Sequence, residues 1–253
     1  GKLCKADGGS RMNQLTISRL RDMRLATMAG KLQEMLSTPK LQGLSWPDAI
    51  DMLVDAEHDG RANKRLAQML RTARLKYPQA CLEDLAYGDS RGLTKDMVRP
   101  FRDGTYIRDA YNVVISGPTG TGKSYLACAL ANSACRDGVK TRFARIGPFL
   151  DELESAKALG KLASAMTKLR KVKLLILDDL GADTMSVEHR KLLLEVVEEF
   201  YMTRSVIITS QVPVLKWAEV IGEPGIAEAI CDRLFHYCHT INLKGESLRK
   251  RNR

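Results

Sequence analysis

The chain has 253 residues, 44% of them hydrophobic, and 40 Lys and Arg against 30 Asp and Glu, a formal net charge of +10. That length and apolar content can supply a core for one large domain, or for a medium domain with a smaller companion. No run approaches the ~18 consecutive apolar residues of a membrane span, and the N-terminus lacks an apolar signal core, so no membrane partner and a cytoplasmic location are expected.

The cationic surplus favours a polyanion, nucleic acid first, through counterion release; a solubilising surface is the alternative. Six cysteines (Cys4, Cys81, Cys128, Cys135, Cys231, Cys238) form no C-x-x-C pair and have no histidine at zinc-ligand spacing. They read as small hydrophobes in a reducing compartment, and the histidines as non-catalytic.

Residues 1–11, rich in Gly, Lys and Ser and without a Met, read as a leader outside the fold. Residues 12–78 read as a helical, DNA-binding domain. Leu15, Ile17, Leu20, Met23, Leu25, Met28, Leu32, Met35 and Leu36 recur at near-helical spacing up to Ser37-Thr38-Pro39. A second helix is expected over 46–57, opened by Ser45 with Pro47 and Asp48 in its first turn and ended near Gly60. A third is expected over 61–76, stopped by Tyr77-Pro78. It carries Arg61, Lys64, Arg65, Arg71, Arg74 and Lys76 with no acidic residue, beside an apolar stripe of Leu66, Met69, Leu70 and Ala73. Such a basic amphipathic helix suits duplex DNA phosphates; the alternative is a solvated helix face.

Residues 79–111 hold several turn-prone positions and read as a linker packed on the next domain. From 112 to 253 the pattern alternates, with strand-like runs at 112–116, 140–146, 173–178, 205–210 and 239–243. Helical stretches are expected at 122–137, 147–170, 187–202 and 213–238. The fold class expected is α/β, a mainly parallel sheet with helices on both faces.

Gly117-Pro118-Thr119-Gly120-Thr121-Gly122-Lys123-Ser124 matches G-x-x-x-x-G-K-[ST] in full, after an apolar run and before a helical one. The glycines let backbone N–H groups face phosphate oxygens. Lys123 reaches the β- and γ-phosphates, Ser124 binds Mg²⁺, and the helix start, Tyr125 included, turns its positive dipole end toward the anion. The chain is therefore expected to bind ATP with Mg²⁺.

About 55 residues later, Lys173-Leu174-Leu175-Ile176-Leu177-Asp178-Asp179 is an apolar strand ending in two carboxylates, a Walker B signature. Asp178 is expected to support the metal and Asp179 to orient the attacking water; an N-cap pair for a following helix is the alternative. The next apolar strand, 205–211, is expected to lie beside both Walker strands and bring Ser210 and Gln211 to the γ-phosphate. Asp232-Arg233-Leu234 and Gly245-Glu246-Ser247-Leu248-Arg249 come next, and their arginines can bind phosphate in cis, act as fingers toward a neighbouring subunit, or form surface salt bridges.

This order of motifs resembles the AAA+ initiator and loader clade, and most closely the IstB-type ATPases of insertion sequences, from about Met12 onward. The resemblance implies an AAA+ P-loop ATPase with a small helical N-terminal domain. It puts Asp179 where many AAA+ proteins use Glu, Gln211 in the sensor-1 place, Arg233 in the arginine-finger place and Arg249 in the sensor-2 place. Asp179 is shorter than Glu, which predicts slow hydrolysis, and only four residues follow Arg249, so the usual helical lid is expected to be nearly absent. By resemblance the protein is an ATP-dependent DNA-binding helper that forms a homo-oligomer on target DNA and stimulates a separate transposase. A replicative helicase loader of the same clade and a phosphate-loop small-molecule kinase are the alternatives.

Overall fold

The computed structural model describes residues 6–41 and 43–248, and the chain divides into two compact units, 1–67 and 68–253. The division falls inside a helix, so residues 68–78 belong with the larger unit.

In the smaller unit, α1 (Ala6–Asp22) reaches back into the segment read as a leader, and α2 (Ala26–Ser37) follows it. Periodicity alone runs these two together. The chain breaks between them at Arg24, whose φ is 61°, and a distant residue secures the restart: buried Glu57 accepts hydrogen bonds from the Thr27 and Met28 backbone N–H groups, both at 3.0 Å. Those N–H groups are orphans of the first turn of α2, and a carboxylate there also faces the positive end of the helix.

The two helices expected over 46–57 and 61–76 are one, α3 (Trp46–Ala73). Gly60 is not a terminator. A Cβ there would sit 2.4 Å from the Thr27 hydroxyl, so the glycine admits α2 at close range within an unbroken helix. The helix stops at Ala73 because Arg74 takes a φ of 53°.

The larger unit opens with the segment read as a linker. It contains two short helices, α4 (Lys95–Val98) and α5 (Thr105–Arg108), and an isolated antiparallel bridge between Gly88 and Leu93. The α/β pattern begins with β1 (Asn112–Ser116), α6 (Lys123–Arg136), β2 (Thr141–Arg145), α7 (Ile146–Ala158), α8 (Leu162–Leu169) and β3 (Leu174–Leu180). It ends with α9 (Val187–Phe200), β4 (Ser205–Ser210), α10 (Trp217–Ile221), α11 (Pro224–Phe235) and β5 (Cys238–Asn242). The stretch 147–170, expected as one helix, is split into α7 and α8 at Gly160, whose φ is 67°, and 213–238 is split before Pro224. Both breaks are local backbone chemistry that an apolar period does not register.

The five strands form one parallel sheet in the order β2-β3-β4-β1-β5. Val114, Leu175, Leu177, Val206 and Ile208 turn to one face, where they meet the buried residues of α7 to α11, including Trp217, Phe149 and Phe200. Helix α6 packs on β1 to β4, and its buried residues, Cys128 and Cys135 among them, cover the other face. Burial pushes the Cys128 thiol up to about 11, so it remains an uncharged hydrophobe.

Candidate nucleotide-binding site

The strand order puts β4 between β1 and β3, so three strand ends deliver their C-terminal residues to one rim of the sheet. The phosphate loop leaves β1 at Ser116. Gly117 has a φ of 144°, and a Cβ there would lie 2.2 Å from the Leu243 carbonyl oxygen, so the loop and the chain after β5 can close together only around a glycine. The loop ends at Gly122, the N-cap of α6, from which Lys123 and Ser124 rise. Lys123 Nζ donates to the Gly117 and Pro118 carbonyls at 2.8 and 2.9 Å, which holds the ammonium over the loop.

A bulge shapes the end of β3. Leu177 pairs with Ile208 and Leu180 with Ser210, three steps on β3 against two on β4. Without the extra residue, alternation would send Asp179 into the apolar face and Leu180 away from it. With it, Leu180 is buried in the core and Asp179 is released, half-exposed, at a φ of 72°. A left-handed backbone at a non-glycine residue costs about 1–2 kcal/mol, and Asp tolerates it better than most. Its carboxylate faces Arg145, with Oδ2 3.6 Å from the guanidinium.

Asp178 is fully buried. Its Oδ1 accepts from Ser124 Oγ at 2.7 Å and from Thr209 Oγ1 at 2.6 Å, and its Oδ2 lies 3.3 Å from Lys76 Nζ. A hydroxyl and a carboxylate oxygen converging this closely are the hard oxygen donors that Mg²⁺ prefers, so Ser124 and Asp178 fit that ion. On β4 the period of two sends Thr209 and Gln211 to the site and Ser210 away. Gln211 Oε1 accepts from Thr119 Oγ1 of the phosphate loop at 2.6 Å, whereas Ser210 Oγ is spent on the Leu180 carbonyl at 2.7 Å. The expectation that Ser210 joins the site is corrected: it closes the bulge beneath it.

Lys76, Ser124, Asp179 and Gln211 line a cleft of about 520 Å³, with Asp178 and Thr209 fully buried beneath its surface. One wall is the phosphate loop from Thr119 through Ser124, with Tyr125 and Leu126 of α6. The opposite wall comes from 76–93, a stretch whose part beyond 78 reads in sequence as a linker: Tyr77, Asp84, Leu85, Ala86, Arg91 and Leu93. Arg91 clamps the two walls, donating to the Ala86 and Thr121 carbonyls, each at 2.7 Å. Tyr77 and Tyr125 face each other with ring centroids 5.8 Å apart, and burial pushes the Tyr125 phenol up. Thr209 and this wall escaped sequence reasoning; the period of two along β4 could have found Thr209, but nothing local marks the wall.

The remaining predicted residues lie elsewhere. Arg233 Nη2 donates to Glu198 Oε1 at 2.9 Å, while the Arg233 and Leu234 carbonyls accept from the Asn112 side-chain amide at the start of β1. The phosphate loop leaves the other end of that five-residue strand, roughly 16 Å away at about 3.3 Å per residue. Arg233 therefore cannot serve its own phosphate loop, which removes the reading in cis. Arg249 lies outside the described residues. Arg61, Lys64, Arg65, Arg71 and Arg74 are exposed, with two qualifications. Arg61 Nε donates to Glu57 at 2.8 Å, an acidic partner just upstream of the segment, and Arg71 bonds Gln68. Lys76 is a correction: it lies beyond the end of α3 and reaches Asp178 instead of extending the basic stripe.

Residues 18–253 match the family described as "IstB-like ATP binding protein". The chain belongs to this family. It is 40% identical over 238 residues to an insertion sequence ATP-binding protein of Sinorhizobium fredii, covering 94% of this chain and 97% of that one. To the insertion sequence IS21 ATP-binding protein of Pseudomonas aeruginosa it is 28% identical, covering 93% and 88%. Among solved structures it resembles the DnaC helicase loader, with a TM-score of 0.55 at 18% identity over 67% of this chain and 99% of that one. It also resembles AMPPCP-bound DnaA from Aquifex aeolicus, with a TM-score of 0.56 at 18% identity over 70% and 53%. At that identity the likeness shows the fold alone, an AAA+ P-loop sheet flanked by helices. No described helix is long and apolar enough to cross a membrane.

Proposed function

We propose that this IstB-like protein is a Mg²⁺-dependent ATPase that assembles as a homo-oligomer on target duplex DNA and stimulates a partner transposase. The observation that carries the reading is the hydrogen-bonded chain from Ser124 through buried Asp178 and Thr209 to the Asp179 backbone, beside a cleft lined by Ser124, Asp179, Gln211 and the phosphate loop. Family membership supplies the insertion-sequence context.

The division of labour rests on position. The loop N–H groups and Lys123 bind phosphate charge, and Leu85, Ala86 and Leu93 offer an apolar wall to the base. Ser124 and Asp178 hold the metal, which when bound neutralises phosphate charge. Asp179, released by the bulge, orients and deprotonates water, and Gln211 fixes that water against the loop. The side chain of Asp179 is one methylene shorter than Glu, so turnover is slow. Arg233, remote from its own cleft, serves a neighbouring subunit, Arg249 contacts phosphate, and the exposed arginines of α3 with Lys64 grip the duplex backbone.

Electron microscopy with duplex DNA and a non-hydrolysable ATP analogue tests the whole reading. A ring or filament enclosing DNA, lost in Lys123→Ala, is expected. Particles that ignore duplex DNA while still binding nucleotide would overturn it.

A further inference from the structure

Lys76 is the one residue of the expected basic stripe found in the cleft. Its ammonium lies 3.3 Å from Asp178 Oδ2, on the oxygen that neither Ser124 nor Thr209 uses, and 5.7 Å from the centroid of its neighbour's ring, Tyr77. A fully buried carboxylate needs a counter-charge, and this lysine supplies it. The ammonium is delivered by a short, anchored piece of chain. Arg74 turns it out of α3, Leu75 is buried, and Asn132 of α6 donates to the Pro78 carbonyl at 2.7 Å.

We infer that Lys76 is a positioning residue that guards the metal face of Asp178. On this assignment its ammonium and a divalent cation compete for one carboxylate, and Lys76 withdraws when the metal-nucleotide complex binds. The withdrawal is transmitted to residues 74–80, directly behind the last turn of α3. The inference rests on the cleft being the Mg²⁺·ATP site. It adds a reason for the lysine to stand there: like charges at such range repel, so the lysine sets how strongly nucleotide binding depends on metal.

The test compares the whole protein with Lys76→Gln and Lys76→Arg, reading ATP affinity in Mg²⁺ and in EDTA, and amide exchange of residues 74–80. Lys76→Gln is expected to tighten Mg²⁺·ATP binding roughly tenfold, the scale of a unit charge about 6 Å from a divalent ion at the dielectric of water, and to leave metal-free binding unchanged. Lys76→Arg, which keeps the charge and guards against a folding defect in the glutamine variant, is expected to stay within about threefold of wild type, well inside that tenfold scale. Exchange at 74–80 should rise with Mg²⁺·ATP and not with ATP in EDTA. A loss of affinity for ATP with and without metal would make Lys76 a phosphate ligand and overturn the inference, as would unchanged affinities or unchanged exchange. If the wild type itself fails to bind Mg²⁺·ATP, it is the function proposed above that has failed.

Discussion

The Thr209 hydroxyl joins the two adjacent aspartates of β3: its Oγ1 donates to Asp178 Oδ1 at 2.6 Å and accepts from the Asp179 backbone N–H at 3.0 Å. One fully buried side chain thus fixes both the rotamer of the buried acid and the backbone of the bulge that releases the other. Thr209→Val keeps the shape and removes the hydroxyl. It is expected to cost about 1–3 kcal/mol of stability, because a buried carboxylate loses a donor. Turnover should fall more than nucleotide affinity. Denaturant unfolding and steady-state ATPase assays check both; unchanged stability would show that Asp178 finds another donor.

Asp179 and Asp178 are neighbours with opposite environments, one half-exposed and one fully buried. Asp179→Asn is expected to bind Mg²⁺·ATP like wild type and to lose about 10²–10⁴-fold in turnover, the usual worth of a positioned base. Equilibrium nucleotide binding beside single-turnover hydrolysis separates the two. Loss of both together would move the metal to Asp179.

Arg233 sits at the end of β1 remote from the phosphate loop, so the proposed role for it is toward a neighbouring subunit. Arg233→Ala should bind ATP normally and hydrolyse it about 10³-fold or more slowly. Mixing it with Asp179→Asn should restore some activity, since one subunit supplies an intact cleft and the other an intact finger. No recovery in mixtures shown to co-assemble would leave Arg233 as the partner of Glu198 and nothing more.

For the basic stretch 61–76, Lys76 and Arg61 are engaged with Asp178 and Glu57, so the triple variant Arg65→Ala, Arg71→Ala, Arg74→Ala is the sharper test. Affinity for unrelated duplexes should drop alike, and the slope of log affinity against log salt should flatten by about 0.9 for each phosphate that is no longer neutralised. Unchanged slope and affinity would make this face a solvated or protein-docking surface.

Glu57 links pH to the smaller unit. The Met28 N–H, then Arg61, hold its carboxyl below the ordinary value of 4.5. A depressed folded value means the contribution is present above about pH 4.5 and is lost as pH falls through the folded value. Protection of the Thr27 and Met28 amides against exchange should therefore decline on acidification below that point in the wild type. In Glu57→Gln it should be low throughout and nearly flat with pH. A wild-type-like pH profile in the variant would show that another group caps α2.

Sequence alone determined the parts whose chemistry is contiguous. The phosphate loop is legible because glycine spacing fixes a local backbone, and β3 because seven consecutive residues carry both its apolar run and its acids. The alternation of strands and helices, and hence the parallel sheet, comes from periods that any one segment displays. The features that the tertiary structure decided depend on residues far apart in the chain. Gly60, which reads as a stop, lies inside an unbroken α3 and leaves room for Thr27, and Glu57 starts α2 from thirty residues away. The segment that reads as a linker became a wall of the cleft because Arg91 ties it to Thr121. Lys76 left the basic stripe for Asp178, 102 residues on, because a buried carboxylate draws a cation from wherever the fold brings one within reach.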